Sequence, residues 1–559
     1  MGSLNNQPDF DVLIIGAGLS GISSIYRLRN LFPSWSIKAL EAAEELGGTW
    51  YFNRYPGARF DSESVSYHLS WDKEYLQQWD WKEEFASQEE ILKYIQGFCD
   101  KNDISRDVQF NTRVDTARWQ EGPRTWALTD SEGYVYTARF VITGVGILSA
   151  PQLPKIPGIE KFKGQAFHTS RWPKDFDYKA GLVGKRVGVI GTAATGIQTI
   201  TAISQVDVKS LTVFQRTASW CAPLWNKPIE ADTMKAYKAQ YNAIFEKCAK
   251  APTGFLYSPD PRRLFDVPKE EREAFWEKLY SEQGFGKWLG VFQDTYTDPA
   301  ANKEYSNWMA AKMRARVHNP VVAERLIPKD HGFGTKRVPL ESGYFEAFNK
   351  PYVHLVDLKE TPINNVTSTG ITTADGKDHE LDVLVYATGF DAITGALSAI
   401  KWYGEGGRPL FGPSRQYDGT PTSPAPIWPD HNTKTFLGLM APSLPNVFMI
   451  LGPHQPYGNV PRSIENSTNV IMDLLQFVHA KGYTFVDPTS KGAEEWYQHV
   501  VQTGEGLLSS LVSGWATGVN TNVEGRGGLK VAKYSGTYQQ WLNECYKSKE
   551  AGWKGLNFA

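Results

Sequence analysis

Short runs of apolar residues, each stopped by a glycine turn and followed by a helical pattern, recur along the chain and set its organisation. Asp11 to Ile15 is one such run; Gly16-Ala-Gly18-Leu-Ser-Gly21 and a helix predicted over Ile22 to Leu31 follow it, and Ser36 to Leu40 predicts the next strand. The arrangement returns at Lys185 to Ile190, with Gly191-Thr-Ala193-Ala-Thr-Gly196, another helix pattern and a strand at Leu211 to Gln215. Strands alternating with helices make parallel sheets, so the fold class reads as α/β with two Rossmann-like units. Tyr134 to Thr143 predicts the strand that leaves the first unit, and Leu381 to Asp391 is a strand and tight turn that mirrors Val141 to Gly146. A chain that comes back to such a strand places the second unit inside the first. From about Asn226 to Pro328 charged helical patterns, Lys269 to Tyr280 and Glu304 to Val317 among them, read as a helical insertion. The expected boundaries are 1–150 and 383–559 for the first unit, 151–225 and 331–382 for the second, and 226–330 for the insertion.

Both glycine turns stand where a dinucleotide fingerprint requires them, between a strand and a helix. The first glycine permits the turn, the second lets a pyrophosphate approach the backbone, and the third packs helix on strand. Glu41 ends the second strand twenty positions after Gly21, where an acid can accept from both ribose hydroxyls. The second fingerprint departs from this pattern twice. Ala193 takes the middle glycine position, and Arg216-Thr217 stands where the acid would be. Arginine can grip a 2′-phosphate in two-pronged fashion, so this half reads as an NADPH site.

Other stretches carry candidate chemistry. Gly47-Gly48-Thr49-Trp50, running on to Tyr55-Pro56-Gly57-Ala-Arg59-Phe-Asp61, is denied regular structure over most of its length by its glycines, prolines and aromatics and suits wrapping a ligand. Asp61 reads either as a turn residue or as the orienter of a nearby cation. Lys336-Arg337, in a glycine-containing loop, reads either as surface charge or as a functional pair. Phe162-Lys-Gly164-Gln-Ala-Phe-His168-Thr-Ser-Arg-Trp172-Pro173 precedes the second fingerprint as an interdomain linker. His454, in Gly452-Pro-His454-Gln-Pro456, reads as structural.

Composition narrows the partners. With 559 residues the chain expects two or three domains, and its 41% hydrophobic and 21% charged residues are those of a soluble globular protein. Aromatic content of 13%, with 19 Trp, suits apolar pockets and ring stacking. A net charge of -2 supplies no field for nucleic acid. The 4 cysteines, Cys99, Cys221, Cys248 and Cys545, are dispersed and propose neither a disulfide framework, a metal site nor a redox pair like that of flavin disulfide reductases. No run suits a signal peptide or a membrane span, so a cytoplasmic protein is expected.

Taken in order, these motifs resemble those of the type I Baeyer–Villiger monooxygenases. The resemblance rests on two fingerprints flanking FxGxxxHxxxWP (Phe162 to Pro173), on GGxWxxxxYPGxxxD (Gly47 to Asp61) and on ATGFD (Ala387 to Asp391). It implies FAD held by Gly16, Gly18, Gly21 and Glu41, with Thr49, Trp50 and Asp61 at the flavin end and Tyr67, Val114 and Val460 as further contacts. It implies NADPH held by Gly191, Thr192, Gly196, Arg216, Thr217 and Lys336, with Arg59 near the nicotinamide and Trp515, from Trp515-Ala-Thr-Gly518-Val-Asn520, closing over the cofactor. Arg337 would be the catalytic cation, oriented by Asp61. The expected reaction uses NADPH, dioxygen and a flavin C4a-peroxide to turn a ketone into an ester or lactone; flavin-dependent N- or S-oxygenation is the rival. The family's usual sequence after the tryptophan loop is replaced here by Thr521-Asn-Val-Glu524-Gly525-Arg526. The resemblance sets neither the particular ketone nor the oligomeric state.

Overall fold

The structure, a computed structural model, describes residues 7–416, 420–520, 528 and 530–559. Thr521 to Arg526 lie outside the described residues. The first strand β1 (Phe10–Ile15) is followed by α1 (Leu19–Leu31), β2 (Ile37–Leu40), β3 (Val108–Gln109), β4 (Val114–Gln120), β5 (Thr125–Asp130) and β6 (Val135–Thr143). The sheet runs β4-β5-β6-β1-β2-β3, with Lys401–Tyr403 added beside β4 and Val447–Met449 beside β6. The chain therefore leaves this sheet after β6 and rejoins it more than two hundred residues later. β6 spans both regimes: its first half pairs antiparallel with β5, and its second half lies between β1 and Val447–Met449, parallel to both. Val12, Leu13, Ile14, Val141 and Ile142 are fully buried, as a strand covered on both faces demands.

The intervening segment builds a second sheet. β7 (Gln165–His168), β8 (Arg186–Ile190), α2 (Ala194–Ile203) and β9 (Ser210–Gln215) come before the insertion, and β10 (Val353–Asp357) and β11 (Val383–Tyr386) after it. The order is β10-β9-β8-β11-β7 and every pair is parallel. One expected boundary is corrected by this topology. Val383–Tyr386, assigned from sequence to the returning first unit, is flanked by β8 and β7 in the second sheet, so the return begins after Tyr386. Its uninterrupted apolar run fits either sheet equally well, and only its neighbours distinguish them.

Between β9 and β10 lies the helical insertion, with α3 (Ala231–Lys250), α4 (Lys269–Ser281), α5 (Pro299–Arg314) and α6 (Pro320–Leu326). It is closed at its base: Ala222–Pro223 and Leu340–Glu341 pair as two short parallel strands. After Val447–Met449 comes α7 (Val460–Ala480), which packs on α1. No helix among the described residues is long and apolar enough to cross a membrane.

The third glycine of each fingerprint is fixed by contact. A methyl group on Gly21 would lie 1.9 Å from Gly16 O, and one on Gly196 would lie 2.2 Å from Gly191 O. Both obstacles are backbone and cannot turn aside. Gly21→Ala is expected to lower the thermal midpoint by about 1–3 degrees, since overpacking costs about 1–3 kcal/mol. Gly122, whose surroundings are open, is the control: Gly122→Ala should melt with the wild type in the same scan.

Candidate active site

Asp61 joins parts of the chain that are far apart in sequence. Its carboxylate is 1% exposed, and Oδ2 accepts a hydrogen bond from Arg337 Nη2 at 2.7 Å and another from the Leu340 N–H at 3.1 Å. A buried carboxylate needs such partners to remain charged. Leu340 belongs to the short strand that closes the helical insertion, so the same oxygen fixes both the base of the insertion and the cation beside it. The Arg337 side chain is 38% exposed, which leaves part of the guanidinium open to a ligand.

The walls nearby come from the Gly47 to Asp61 loop. Gly48 lies against the fingerprint, where a methyl group on Gly18 would sit 3.3 Å from Gly48 Cα. Thr49–Phe52 is a single helical turn in this loop. Trp50 donates its indole N–H to the Tyr67 hydroxyl at 3.1 Å, and Phe60 stacks on Tyr67 with centroids 4.3 Å apart. Trp50, Phe60 and Tyr67 are all buried.

The two fingerprints offer what phosphates need. α1 starts at Gly18 and α2 at Ala193, neither start has a side-chain cap, and neither first turn contains an acid. Unsatisfied N–H groups and the positive end of the helix dipole therefore face outward at both. Glu41 is buried, and its two oxygens accept from the Ala17 N–H at 2.6 Å and the Ala43 N–H at 2.8 Å; each keeps acceptor capacity for a hydroxyl. Ala193 has φ -85 and ψ -172, close to φ -76 and ψ -170 at Gly18. The missing glycine thus leaves the backbone path unchanged and adds only an exposed methyl group. Thr192 turns its hydroxyl inward to the Thr217 carbonyl at 3.0 Å, fixing the turn that presents Arg216. Arg216 is exposed at the carboxyl end of β9 and lines a cavity of about 590 Å³ with Ala218, Val321, Arg325, Pro328 and Lys359.

Arg59 is engaged by Glu83 Oε2 at 3.0 Å and the Phe85 carbonyl at 3.1 Å. Lys336 is partly buried, Val114 opens β4 as a buried residue, and Val460 is the first residue of α7. Trp515 is 39% exposed, with its ring 6.2 Å from that of Tyr457. The linker motif is structural: its residues form β7, His168 Nδ1 contacts the Ser170 hydroxyl at 2.9 Å, and Trp172 packs on Phe167. Burial brings the His168 pKa down to about 4, so the ring is neutral. His454 is likewise buried, between Thr433 and Thr435.

Three residues near the site went unrecognised in the sequence. Gln198 of α2 donates to the Arg59 carbonyl at 3.0 Å and reaches Asp61 Oδ1 at 3.4 Å. Glu63 is buried two positions beyond Asp61 and accepts from the Tyr257 hydroxyl. Lys287 is fully buried, donates to the Pro223 carbonyl at 2.7 Å, and has its pKa brought down to about 7 by burial.

Two uncapped helix starts behind glycine turns, one followed by a strand that ends at an acid and the other by a strand that ends at a cation, are the framework of a protein with two dinucleotide-type folds. A family model described as flavin-binding monooxygenase-like matches residues 10–237. The 2-oxo-Delta(3)-4,5,5-trimethylcyclopentenylacetyl-CoA monooxygenase of Pseudomonas putida is 40% identical over 530 residues, 94% of each chain. A Baeyer-Villiger monooxygenase of Pseudooceanicola batsensis is 34% identical, covering 98% of this chain and 96% of its own. Phenazine N-monooxygenase PhzNO1 of Lysobacter antibioticus is also 34% identical, over 99% of this chain and 97% of its own. The fold matches the crystal structure of OTEMO in complex with FAD and NADP with a TM-score of 0.90 at 38% identity, over 99% of this chain and 100% of that one. The chain belongs to the Baeyer–Villiger monooxygenases, within the flavin-binding monooxygenases.

Glu63 generates a pH test. Desolvation raises its pKa from 4.5 to about 7 against the opposing hydrogen bond from Tyr257. Between these values the folded protein holds a proton that the unfolded chain releases, so this group's contribution to stability is present below about pH 4.5 and is lost as pH rises through about 7. The full swing is on the order of 3 kcal/mol. Glu63→Gln, which cannot ionise, is expected to gain thermal midpoint relative to wild type as buffer pH is raised across that window. Parallel midpoint–pH curves would contradict the assignment.

Proposed function

We propose that the protein binds FAD at the first sheet and NADPH at the second, and uses them with dioxygen to insert one oxygen atom beside a ketone carbonyl, giving an ester or lactone. The observation that carries this reading is the Asp61–Arg337 ion pair at 2.7 Å, within a chain whose family does this chemistry. Bound FAD, reduced by NADPH and reoxidised by dioxygen, would supply the reactive oxygen. Gly16, Gly18, Gly21 and the start of α1 would take the FAD pyrophosphate, and Glu41 its ribose. Trp50 and Tyr67 would form the wall on the flavin side. Gly191, Gly196 and the start of α2 would take the NADPH pyrophosphate, and Arg216, Thr217 and Lys336 the 2′-phosphate.

Arg337 would be the residue that acts on the reacting atoms. A guanidinium is a fixed cation with several N–H donors, and one edge of it is already committed to Asp61. The remaining donors would stabilise negative charge as it develops on oxygen during attack on the ketone. Asp61 keeps the guanidinium in one orientation, so little reorganisation remains for the reaction itself. Buried aromatic rings around Trp50 would exclude water from the flavin side. The four cysteines are all free and buried, which suits a reducing, cytoplasmic setting.

Purified protein given FAD, NADPH and dioxygen should convert members of a linear, cyclic and aryl ketone panel to esters or lactones in step with NADPH loss. Conversion of sulfides or ring nitrogens, with ketones yielding only hydrogen peroxide, would favour the N- or S-oxygenase reading to which the phenazine N-monooxygenase relative lends weight. Arg337→Ala should still allow NADPH to reduce the flavin in stopped-flow absorbance, while ester formation falls by at least about a hundredfold. Full ester formation by that variant would overturn the role given to Arg337.

A further inference from the structure

Gln198 lies two positions beyond the last glycine of the second fingerprint, on α2, yet its side chain leaves that helix and enters the loop of the first unit. Its Nε2 donates to the Arg59 carbonyl at 3.0 Å, and its Oε1 accepts from the Tyr55 hydroxyl at 2.7 Å. These two bonds fix the amide's orientation, because a carbonyl only accepts and must face the NH₂ group. Burial raises the Tyr55 pKa to about 12, so this hydroxyl remains a donor. With the amide plane set, the same Nε2 meets Asp61 Oδ1 at 3.4 Å. The other oxygen of that carboxylate holds Arg337 and Leu340.

Backbone packing independently joins the same two elements. Gly57 has φ +80, and a methyl group there would lie 2.8 Å from Gln198 O and 3.1 Å from Ala202 Cβ. The Tyr55 to Asp61 loop is therefore seated directly on α2, with no side chain between them.

We infer that Gln198 is a positioning residue that couples α2 to the Asp61–Arg337 pair. This rests on the reading in which Asp61 orients Arg337 and α2 receives NADPH. A nucleotide phosphate at the start of α2 steadies the helix, Gln198 carries that order into the Tyr55 to Asp61 loop, and Asp61 passes it to the guanidinium. Without the amide, one oxygen of a buried carboxylate loses its donor and the carboxylate is free to rotate about its remaining bonds.

The test uses the full-length holoenzyme. Gln198→Glu keeps the size of the side chain and the acceptor for Tyr55, but directs a carboxylate oxygen at the Arg59 carbonyl and at Asp61. At neutral pH ester formation should fall by about tenfold or more, a hydrogen bond to a charged group being at stake, while the calorimetric Kd for NADP+ stays within about threefold. Activity of this variant relative to wild type should recover as pH falls and the new carboxyl takes a proton. A filler of space would not give that profile. Gln198→Leu should lose activity at every pH. In hydrogen exchange, NADP+ should slow the amides of residues 55–61 in wild type and leave them unchanged in Gln198→Leu. Wild-type ester yields for both variants, or nucleotide-induced protection that persists in Gln198→Leu, would overturn the inference. If the leucine variant fails to fold, the pH profile of Gln198→Glu decides alone. Ester formation that survives in Asp61→Asn would instead sink the reading of the pair itself.

Discussion

A carboxylate almost wholly removed from solvent is tolerable only if its charge is answered from fixed positions, and Asp61 is answered from three. Arg337 and the Leu340 N–H share one oxygen, and the Gln198 amide approaches the other. These partners come from a loop, from the strand that closes the insertion, and from the helix behind the second fingerprint. The first unit, the second unit and the insertion thus converge on one side chain. Their arrangement is constrained by electrostatics as well as by packed apolar surface.

The fold was legible where steric rules leave one solution. Gly16, Gly21, Gly191 and Gly196 sit where a methyl group would strike backbone, and strands buried on both faces show as unbroken apolar runs. Sheet membership was less legible. Val383–Tyr386 looks alike in either sheet, because its neighbours β7 and β8 are set by topology and not by its own residues. At the site, Asp61 and Arg337 could be paired through a family resemblance, although 276 positions separate them and no local pattern joins them. Gln198 escaped because a neutral amide inside a helix has no sequence signature; its meaning comes entirely from what lies opposite. Glu63 and Lys287 stand in no motif, and only the fold shows that both are buried.

The two nucleotide units are alike in backbone and unlike in what they present. The matching dihedrals at Gly18 and Ala193 show one turn used twice. Around the first, Gly48 presses close and Glu41 is tied to the turn by the Ala17 N–H. Around the second, Arg216 and the cavity beside it are open to solvent. A tightly enclosed site suits a cofactor that remains through many turnovers, and an open one suits a co-substrate that must leave after each.

The short pairing of Ala222–Pro223 with Leu340–Glu341 has an evolutionary consequence. Roughly a hundred residues of helical insertion hang from this clasp, and Arg337 lies just inside it, three positions before Leu340 and held by Asp61. Helices beyond the clasp can lengthen, shorten or exchange their apolar faces while the cation keeps its place, because closure of a longer excursion adds little free energy. Relatives could then diverge in the molecules they accept without rebuilding the centre that acts on them.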